Sequence, residues 1–125
     1  MPNALRILIA DDEEIVRYTL DMLLNHLGHR RHCVADGLSA LKALEDGDYD
    51  VAIVDIRMPG LDGIGFLNRA KEIRPGMPVV IASGYASDET REDVLKAGAS
   101  AFLPKPFRLK EIQVLLKKIF PAKEI

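Results

Sequence analysis

Cysteine, tryptophan and long apolar runs are scarce or absent in this sequence of 125 residues. Cys33 is the only cysteine, so the chain can form no internal disulfide and no cysteine-rich zinc site. A lone thiol is predicted to be structural and suits a reducing compartment better than secretion. No apolar run reaches the roughly 18 residues of a membrane span, and the start lacks the pattern of a secretion signal. We therefore expect a cytoplasmic protein with no membrane partner.

A strong excess of one charge is also missing. The sequence has 17 Lys and Arg residues against 19 Asp and Glu residues, a formal net charge of -2. Nucleic acid binding normally needs a broad basic surface, so direct contact with nucleic acid is not expected. A length of 125 residues with 48% hydrophobic residues suits one domain with its own core, and we treat residues 1–125 as a single domain.

Short apolar runs recur along the chain, and each is followed by a longer segment with helical spacing. The second run is the least hydrophobic, which predicts an edge strand, whereas the nearly continuous third run predicts a strand covered on both faces. The predicted strands are Arg6–Ala10, Arg31–Ala35, Val51–Ile56, Pro78–Ala82 and Ala101–Leu103. Strands that alternate with helices indicate parallel pairing through right-handed crossovers, and hence a doubly wound α/β sandwich of three layers.

The segments between these strands have apolar residues at helical spacing. The first helix is predicted to end at Gly28, and Ser87 is predicted to cap a polar fourth helix with few apolar positions. The positions predicted to face the core are Val16, Leu20, Leu23, Leu24 and Leu27 in the first helix, Leu38, Leu41 and Leu44 in the second, Ile64, Leu67, Ala70 and Ile73 in the third, and Leu109, Ile112, Leu116 and Ile119 in the fifth. The fourth helix offers little apolar surface beyond Val94, Leu95 and Ala97.

Polar residues stand at the carboxyl ends of the predicted strands. Asp11 and Asp12 follow the first strand, Asp55 lies in the third, Ser83 ends the fourth and Lys105 follows the fifth. Each residue alone has an ordinary explanation as a helix cap or a solvated charge. Ligands of such sheets bind beyond the carboxyl ends of the strands, so together these residues predict one site.

Three neighbouring carboxylates favour a bound cation. At 4 Å, and with an effective dielectric constant of 20, each pair repels by ~4 kcal/mol. Oxygen ligands without histidine or cysteine favour Mg²⁺ over Zn²⁺. Asp55 lies on a rigid strand before a loop with Pro59 and Gly60, where a carboxylate can act as a nucleophile and form an aspartyl phosphate. Ser83 and Lys105 could then contact the phosphoryl oxygens.

Four segments occur in the order and approximate spacing of one family. They are I-L-I-A-D-D-E, V-D-I-R-M-P-G-L-D-G, A-S-G and F-L-P-K-P-F. Over about residues 5 to 120 the sequence resembles the receiver domain of two-component response regulators. The resemblance implies a flavodoxin-like fold, a five-stranded parallel sheet in the order 2-1-3-4-5, as in the chemotaxis member of this family.

The resemblance also implies roles for the acidic residues. Asp55 would be the phosphoacceptor, and Asp11, Asp12 and Asp55 would bind Mg²⁺ together with the backbone carbonyl of Arg57. The positions of Arg57 and Tyr85 vary within the family, and a cation and an aromatic ring there could shield the phosphoryl group from water.

Further roles are implied for residues near the last strand. Ser83 and Lys105 would bind the phosphoryl oxygens. Phe102 matches the aromatic switch residue of the family, which is often tyrosine, and its ring has no hydroxyl group to donate a hydrogen bond. The Lys105–Pro106 bond matches a cis peptide bond of the family. If Pro106 is an ordinary helix start, the bond before it would be trans.

The same resemblance implies partners. A sensor histidine kinase or a histidine phosphotransfer domain would supply the phosphoryl group, and a downstream effector domain or protein would receive the signal. The fourth helix, fifth strand and fifth helix would change on phosphorylation, with Phe102 turning inward, and could form a phosphorylation-dependent homodimer. The domain would be no ordinary enzyme, since it catalyses only its own phosphorylation and dephosphorylation.

Other functions fit the sequence less well. A hydrolase of the haloacid-dehalogenase type would need a second aspartate where Arg57 stands, and an FMN carrier would need a first loop rich in Ser, Thr and Gly in place of D-D-E-E. A pseudo-receiver, a binding module that is not phosphorylated, usually lacks a site residue, and none is missing here. The three histidines are predicted to be ordinary surface residues and not a metal site; they are His26, His29 and His32. The glycines of Gly60–Gly65 stand in the reverse of the order found in dinucleotide-binding motifs.

Overall fold

Five strands and five helices alternate along the chain. The computed structural model of the protein describes residues 3–84 and 88–125. The strands are Arg6–Ala10 (β1), Arg30–Val34 (β2), Val51–Asp55 (β3), Val79–Ser83 (β4) and Ala101–Pro104 (β5), and the helices are Glu14–His26 (α1), Gly37–Asp46 (α2), Gly63–Ile73 (α3), Asp88–Lys96 (α4) and Leu109–Ile119 (α5). No helix among these described residues is long and apolar enough to span a membrane.

The strands form one parallel sheet in the order β2-β1-β3-β4-β5. The predicted fold class and strand order are therefore confirmed. β2 is an edge strand and β3 is buried along its whole length, as the hydrophobicity of the two runs predicted. Because all strands run in the same direction, their carboxyl ends meet at one edge of the sheet, and residues after them are brought together.

Helices cover both faces of the sheet because buried side chains alternate along the strands. Leu8 of β1 and Val54 of β3 pack with α2, α3 and α4. Ile7 and Ile53, one position earlier in each strand, pack with α1 and α5. The result is the predicted sandwich of three layers, with an apolar core on each side of the sheet.

The predicted helix faces need two corrections. Leu38 is 61% exposed, although it was predicted to face the core. The spacing of three residues from Leu38 to Leu41 falls short of a 3.6-residue turn, so the stripe drifts and Ala40 is buried instead. In α3, Phe66 is fully buried although the periodic pattern did not select it. Strand bounds differ from the prediction by one residue, except for β1, and Ser87 lies outside the described residues.

Cys33 lies on the edge strand and its side chain is exposed. Its sulfur atom is 3.8 Å from a carboxylate oxygen of Asp21 in α1. The structural role that the sequence predicted for this thiol is not seen, because the side chain belongs to neither apolar core.

One of the three histidines is buried. His29 is 3% exposed, and its Nδ1 accepts a hydrogen bond of 3.0 Å from the backbone N–H of Leu5. Its Nε2 has no hydrogen-bond partner among the described residues. The prediction of a surface residue is therefore wrong for His29, while His26 and His32 are exposed as expected.

We predict that protonation of His29 destabilises the fold. Burial lowers the pKa of His29 from its ordinary value of 6.5, so the unfolded chain binds this proton more readily than the folded one. The free energy of unfolding should be highest above pH 6.5 and should fall as the pH drops below it. Urea denaturation between pH 5 and pH 8 measures this slope. His29→Gln, which can still accept the bond from Leu5, should flatten it.

The exposed His26 provides the matched control. His26→Gln should not flatten the slope as His29→Gln does, because it leaves the buried imidazole of His29 and its bond from Leu5 intact. An unchanged slope in His29→Gln would refute the prediction.

Candidate functional site

The carboxyl edge of the sheet carries the polar residues that the sequence selected. Asp11 follows β1, Asp55 ends β3, Ser83 ends β4 and Lys105 follows β5. Asp11 is 2% exposed and Asp55 is 6% exposed, and Ser83 is also buried. Among the described residues, the buried polar groups Asp11, Asp55 and Ser83 stand at the carboxyl ends of strands with apolar interiors, which marks the predicted site as a distinct feature of the molecule.

The backbone ladder fixes these residues in place. The N–H group of Asp11 donates to the carbonyl oxygen of Val34 at 3.2 Å, which extends the pairing of β1 with β2. Asp55 is in register with Ala82 of β4. The N–H group of Lys105 donates to the carbonyl oxygen of Ser83 at 2.8 Å. The site is therefore held by the sheet itself.

Gly63 lets α3 approach the backbone of Asp55 closely. A Cβ atom at Gly63 would lie 2.6 Å from the carbonyl oxygen of Asp55 and 2.8 Å from the Cα atom of Ile56. The N–H group of Gly63 donates to the carbonyl oxygen of Ile56 at 2.9 Å, and the side chain of Asp62 caps the helix by accepting a bond from Gly65. Only glycine fits this contact without a shift of the backbone.

Lys105 joins the two buried carboxylates. Its ammonium nitrogen is 2.8 Å from Oδ2 of Asp11 and 3.1 Å from Oδ1 of Asp55, and it lies 3.7 Å from the carboxylate of Glu13. The other carboxylate oxygen of Asp11 accepts the N–H group of Glu13 at 2.9 Å, and the side chain of Arg17 donates to the backbone carbonyl of Asp11. The sequence pattern did not select Glu13 or Arg17, whose contacts depend on how α1 begins.

The pKa values reflect burial and these contacts. Burial raises the pKa of Asp55, repulsion from Asp11 adds to the rise, and the hydrogen bond from Lys105 opposes it. Burial favours loss of the Lys105 proton, yet the contacts with Asp11 and Asp55 outweigh burial and raise the pKa of Lys105. The lysine therefore stays charged between the two carboxylates.

Three carboxylates could hold a metal ion here. One carboxylate oxygen each from Asp11, Asp12 and Asp55 lie within 4.8 Å of one another. Asp12 is exposed, so the cluster opens to solvent, and its donors are the oxygen atoms that a hard cation such as Mg²⁺ prefers. The donor set thus fits the metal that the sequence predicted. A cleft of about 350 Å³ adjoins it, and Asp12, Asp55, Arg57, Ser83 and Lys105 are among the residues that line this cleft.

Phe102 lies in β5, three residues before Lys105, and its side chain is buried. It is 7% exposed, and the guanidinium group of Arg91 in α4 lies 5.3 Å from the centre of its ring. In this conformation the ring has little surface left to bury, and an inward turn of Phe102 on phosphorylation stays a prediction. The Lys105–Pro106 bond is cis, as the resemblance implied. Tyr85 lies outside the described residues.

Comparisons with known proteins agree on one family. A family model described as the response regulator receiver domain matches residues 7–117. The regulatory protein AtoC of Escherichia coli K12 is 37% identical over 113 residues, which are 90% of this chain and 24% of that protein. This chain therefore spans only about a quarter of that relative's length.

Solved structures of receiver domains resemble the fold closely. A CheY-like receiver domain protein from Methanospirillum hungatei JF-1 has a TM-score of 0.87 and 30% identity, and the match covers 97% of both chains. The receiver domain of the sensor histidine kinase PA1611 from Pseudomonas aeruginosa PAO1 has a TM-score of 0.84 and 31% identity, with 92% of this chain and 96% of that one covered. That structure has a magnesium ion coordinated in its active site cleft.

Loss of Lys105 should destabilise the protein. In Lys105→Met, Asp11 and Asp55 would remain buried without their common cation, so we expect the free energy of unfolding at neutral pH to fall by about 3 kcal/mol. Urea denaturation with a chelator present measures this loss. Lys42→Met is the matched control, because Lys42 is exposed and pairs with Asp46 at 3.8 Å, a contact worth about 0.5 kcal/mol or less. Equal losses in the two variants would contradict the prediction.

Proposed function

Because the chain belongs to the response regulator receiver domain family, we propose that Asp55 accepts a phosphoryl group from a phosphohistidine donor in a reaction that requires Mg²⁺. One observation carries this proposal. The carboxylate of Asp55 ends a buried strand, contacts Lys105 at 3.1 Å and lies within 4.8 Å of carboxylate oxygens of Asp11 and Asp12. A nucleophile, a fixed cation and a metal-binding cluster thus meet at one point.

The acidic residues would have two roles in this reaction, metal binding and nucleophilic attack. The carboxylates of Asp11, Asp12 and Asp55 and the backbone carbonyl of Arg57 would hold Mg²⁺, which offsets negative charge on the phosphoryl oxygens when it is bound. A carboxylate oxygen of Asp55 attacks phosphorus, and the bond between phosphorus and the donor's histidine nitrogen breaks. The nitrogen keeps the electron pair of that bond. Water later attacks the acyl phosphate, which releases phosphate and restores the carboxylate.

Lys105 and Ser83 would bind the product. The ammonium group of Lys105 already contacts Asp55, so it can donate its hydrogen bond to a phosphoryl oxygen on Asp55 without leaving the site. Ser83 ends the neighbouring strand and lines the same cleft, so its hydroxyl group would donate to a second oxygen. Arg57 also lines the cleft and is exposed, where its side chain would influence the access of water to the phosphoryl group.

The partners follow from this chemistry. The donor would be a sensor histidine kinase or a histidine phosphotransfer domain in the cytoplasm. The receiver of the signal would be a downstream effector domain or protein. With a net charge of -2, the chain itself would contact neither nucleic acid nor membrane. Its chemistry would be confined to its own phosphorylation and dephosphorylation.

Phosphorylation of Asp55 is directly measurable. We expect the protein to gain one phosphoryl group in intact-mass measurements after incubation with a small-molecule phosphodonor and Mg²⁺. Asp55→Asn should gain none because the amide is not a nucleophile. Removal of Mg²⁺ by a chelator should stop the reaction, and Asp12→Ala should slow it strongly.

Asp48→Asn is the matched control, since the side chain of Asp48 is exposed and lies outside the site. It should be phosphorylated like the wild-type protein. A wild-type protein that gains no phosphoryl group would refute the proposal and favour the pseudo-receiver. Equal labelling of Asp55→Asn would assign the phosphoryl group to another residue.

The readout surface would be formed by α4, β5 and α5. A groove of about 1130 Å³ lies on this side and includes Arg91, Leu95, Phe102 and Val114 in its lining. Val94 is the buried apolar anchor of α4, whereas Leu95 is exposed. A helix with so few apolar contacts can shift at small cost. Movement of Ser83 toward the phosphoryl group would pull on the connection to α4.

Because the ring of Phe102 is already buried, we propose that α4 moves relative to this ring and thereby changes the contact of Arg91. The altered surface would then bind the effector or a second phosphorylated copy of the chain.

We expect phosphorylation to shift the backbone amide NMR signals of α4, β5 and α5, besides those of the site. Signals of α2 should change little and serve as the internal control. Arg91→Gln, which removes the cation above Phe102, should alter the shifts in β5 of the unphosphorylated protein. Changes confined to residues around Asp55 would refute the proposed readout surface.

A further inference from the structure

A groove with three arginines lies at the end of the sheet away from Asp55. It has a volume of about 200 Å³ and is lined by Arg6, Ile7, Arg30, Arg31, His32 and Tyr49. We call it the basic groove. Arg6 and Arg30 begin β1 and β2, each of five residues, so at about 3.3 Å per residue the groove is roughly 16 Å from the carboxyl edge. It is therefore distinct from the phosphoacceptor site.

Two arginines of the groove stand side by side. Arg6 and Arg30 are Cα partners on neighbouring parallel strands, so their side chains leave the same face of the sheet. The guanidinium group of Arg6 lies 5.7 Å from the centre of the Tyr49 ring. Within residues 3–84 and 88–125, neither guanidinium forms an ion pair. Like charges in register repel, so this pairing is unfavourable by itself.

The nearby acidic side chains form no ion pair with either guanidinium group among the described residues. The carboxylate of Asp50 accepts the backbone N–H of Arg6 at 2.8 Å, and Asp48 is 3.4 Å from Arg74. The third arginine, Arg31, is held by Asp21 at 3.0 Å and also donates to the carbonyl oxygen of His29. Arg6 and Arg30 therefore remain as the two unpaired cations of the groove.

Protection of the sheet edge does not explain this arrangement. Charged side chains on an edge strand discourage pairing with other chains, which accounts for Arg30 and His32 on β2. β1, however, lies inside the sheet between β2 and β3. Arg6 has no edge to protect, yet it stands in register with Arg30. A ligand with two negative charges would relieve the repulsion between them.

We propose that the basic groove binds a phosphate monoester, with its phosphate group between the guanidinium groups of Arg6 and Arg30. Guanidinium groups match phosphate oxygens in paired hydrogen bonds, and the two charges of the phosphate balance two arginines. The groove, at about 200 Å³, is several times the volume of a water molecule, which is about 30 Å³. Space therefore remains for an organic group beside the phosphate. The rings of His32 and Tyr49, which are in edge-to-face contact with centres 6.2 Å apart, would form one wall beside that group.

Titration followed by NMR tests the site and identifies the source of the phosphate. The probes are adenosine 5′-monophosphate, inorganic phosphate and adenosine, each added at low salt with a chelator. Saturating shifts of the amide signals of Ile7, Arg31 and Tyr49 with the first two probes, and none with adenosine, support the proposal. Tighter binding of the monoester than of inorganic phosphate supports a site that also contacts the organic group. Equal binding would overturn that part.

A pair of variants decides whether the arginines carry the binding. Arg30→Gln should weaken binding of adenosine 5′-monophosphate by about tenfold or more, because it removes a charged bidentate contact. Arg69→Gln is the control, since Arg69 is exposed on α3 and lies 3.9 Å from Glu72. It should leave binding unchanged. Equal affinity in the two variants, shifts that never saturate, or shifts at Asp12 and Arg57 in place of the groove would each overturn the proposal.

Discussion

The ammonium group of Lys105 is the contact on which the carboxyl edge of the sheet depends. It lies 2.8 Å from Asp11 and 3.1 Å from Asp55, two carboxylates that are otherwise buried among apolar strands. Paired charges of this kind are tolerated in a protein interior, whereas unpaired ones are costly. In the proposed phosphoryl transfer, the lysine would exchange a carboxylate for a phosphoryl oxygen in the same small space. Stability and reactivity would then be coupled through one side chain.

The residues of this site could be selected from the sequence because the site depends on the topology of the sheet. Residues at the carboxyl ends of adjacent parallel strands meet whatever the details of packing, so Asp11, Asp55, Ser83 and Lys105 could be brought together before the structure was known. The alternation of strands and helices predicted the layers for the same reason. A pattern that repeats along the chain constrains the fold more strongly than any single residue does.

Features that depend on tertiary packing could not be predicted in this way. His29 follows an exposed helix end in the sequence, and only the approach of Leu5 shows that it is buried. The leucines of α2 repeat every three residues, so their pattern drifts around the helix and did not show that Leu38 is exposed. The basic groove joins residues that are far apart in the chain, and the contact of Arg91 with Phe102 depends on how α4 packs on β5. Arginine is an ordinary surface residue, so no local pattern distinguishes Arg6, Arg30 or Arg91.

The close approach of Gly63 to the backbone of Asp55 makes the two sides of the phosphoacceptor site unequal. Because no side chain separates them, the start of α3 packs directly on the end of β3. In the proposed switch, the backbone of Asp55 would therefore have little room to move toward α3. A displacement would instead pass across the sheet toward α4, where Val94 is the buried anchor. The half of the molecule that contains α3 would thus act as a support against which α4 moves.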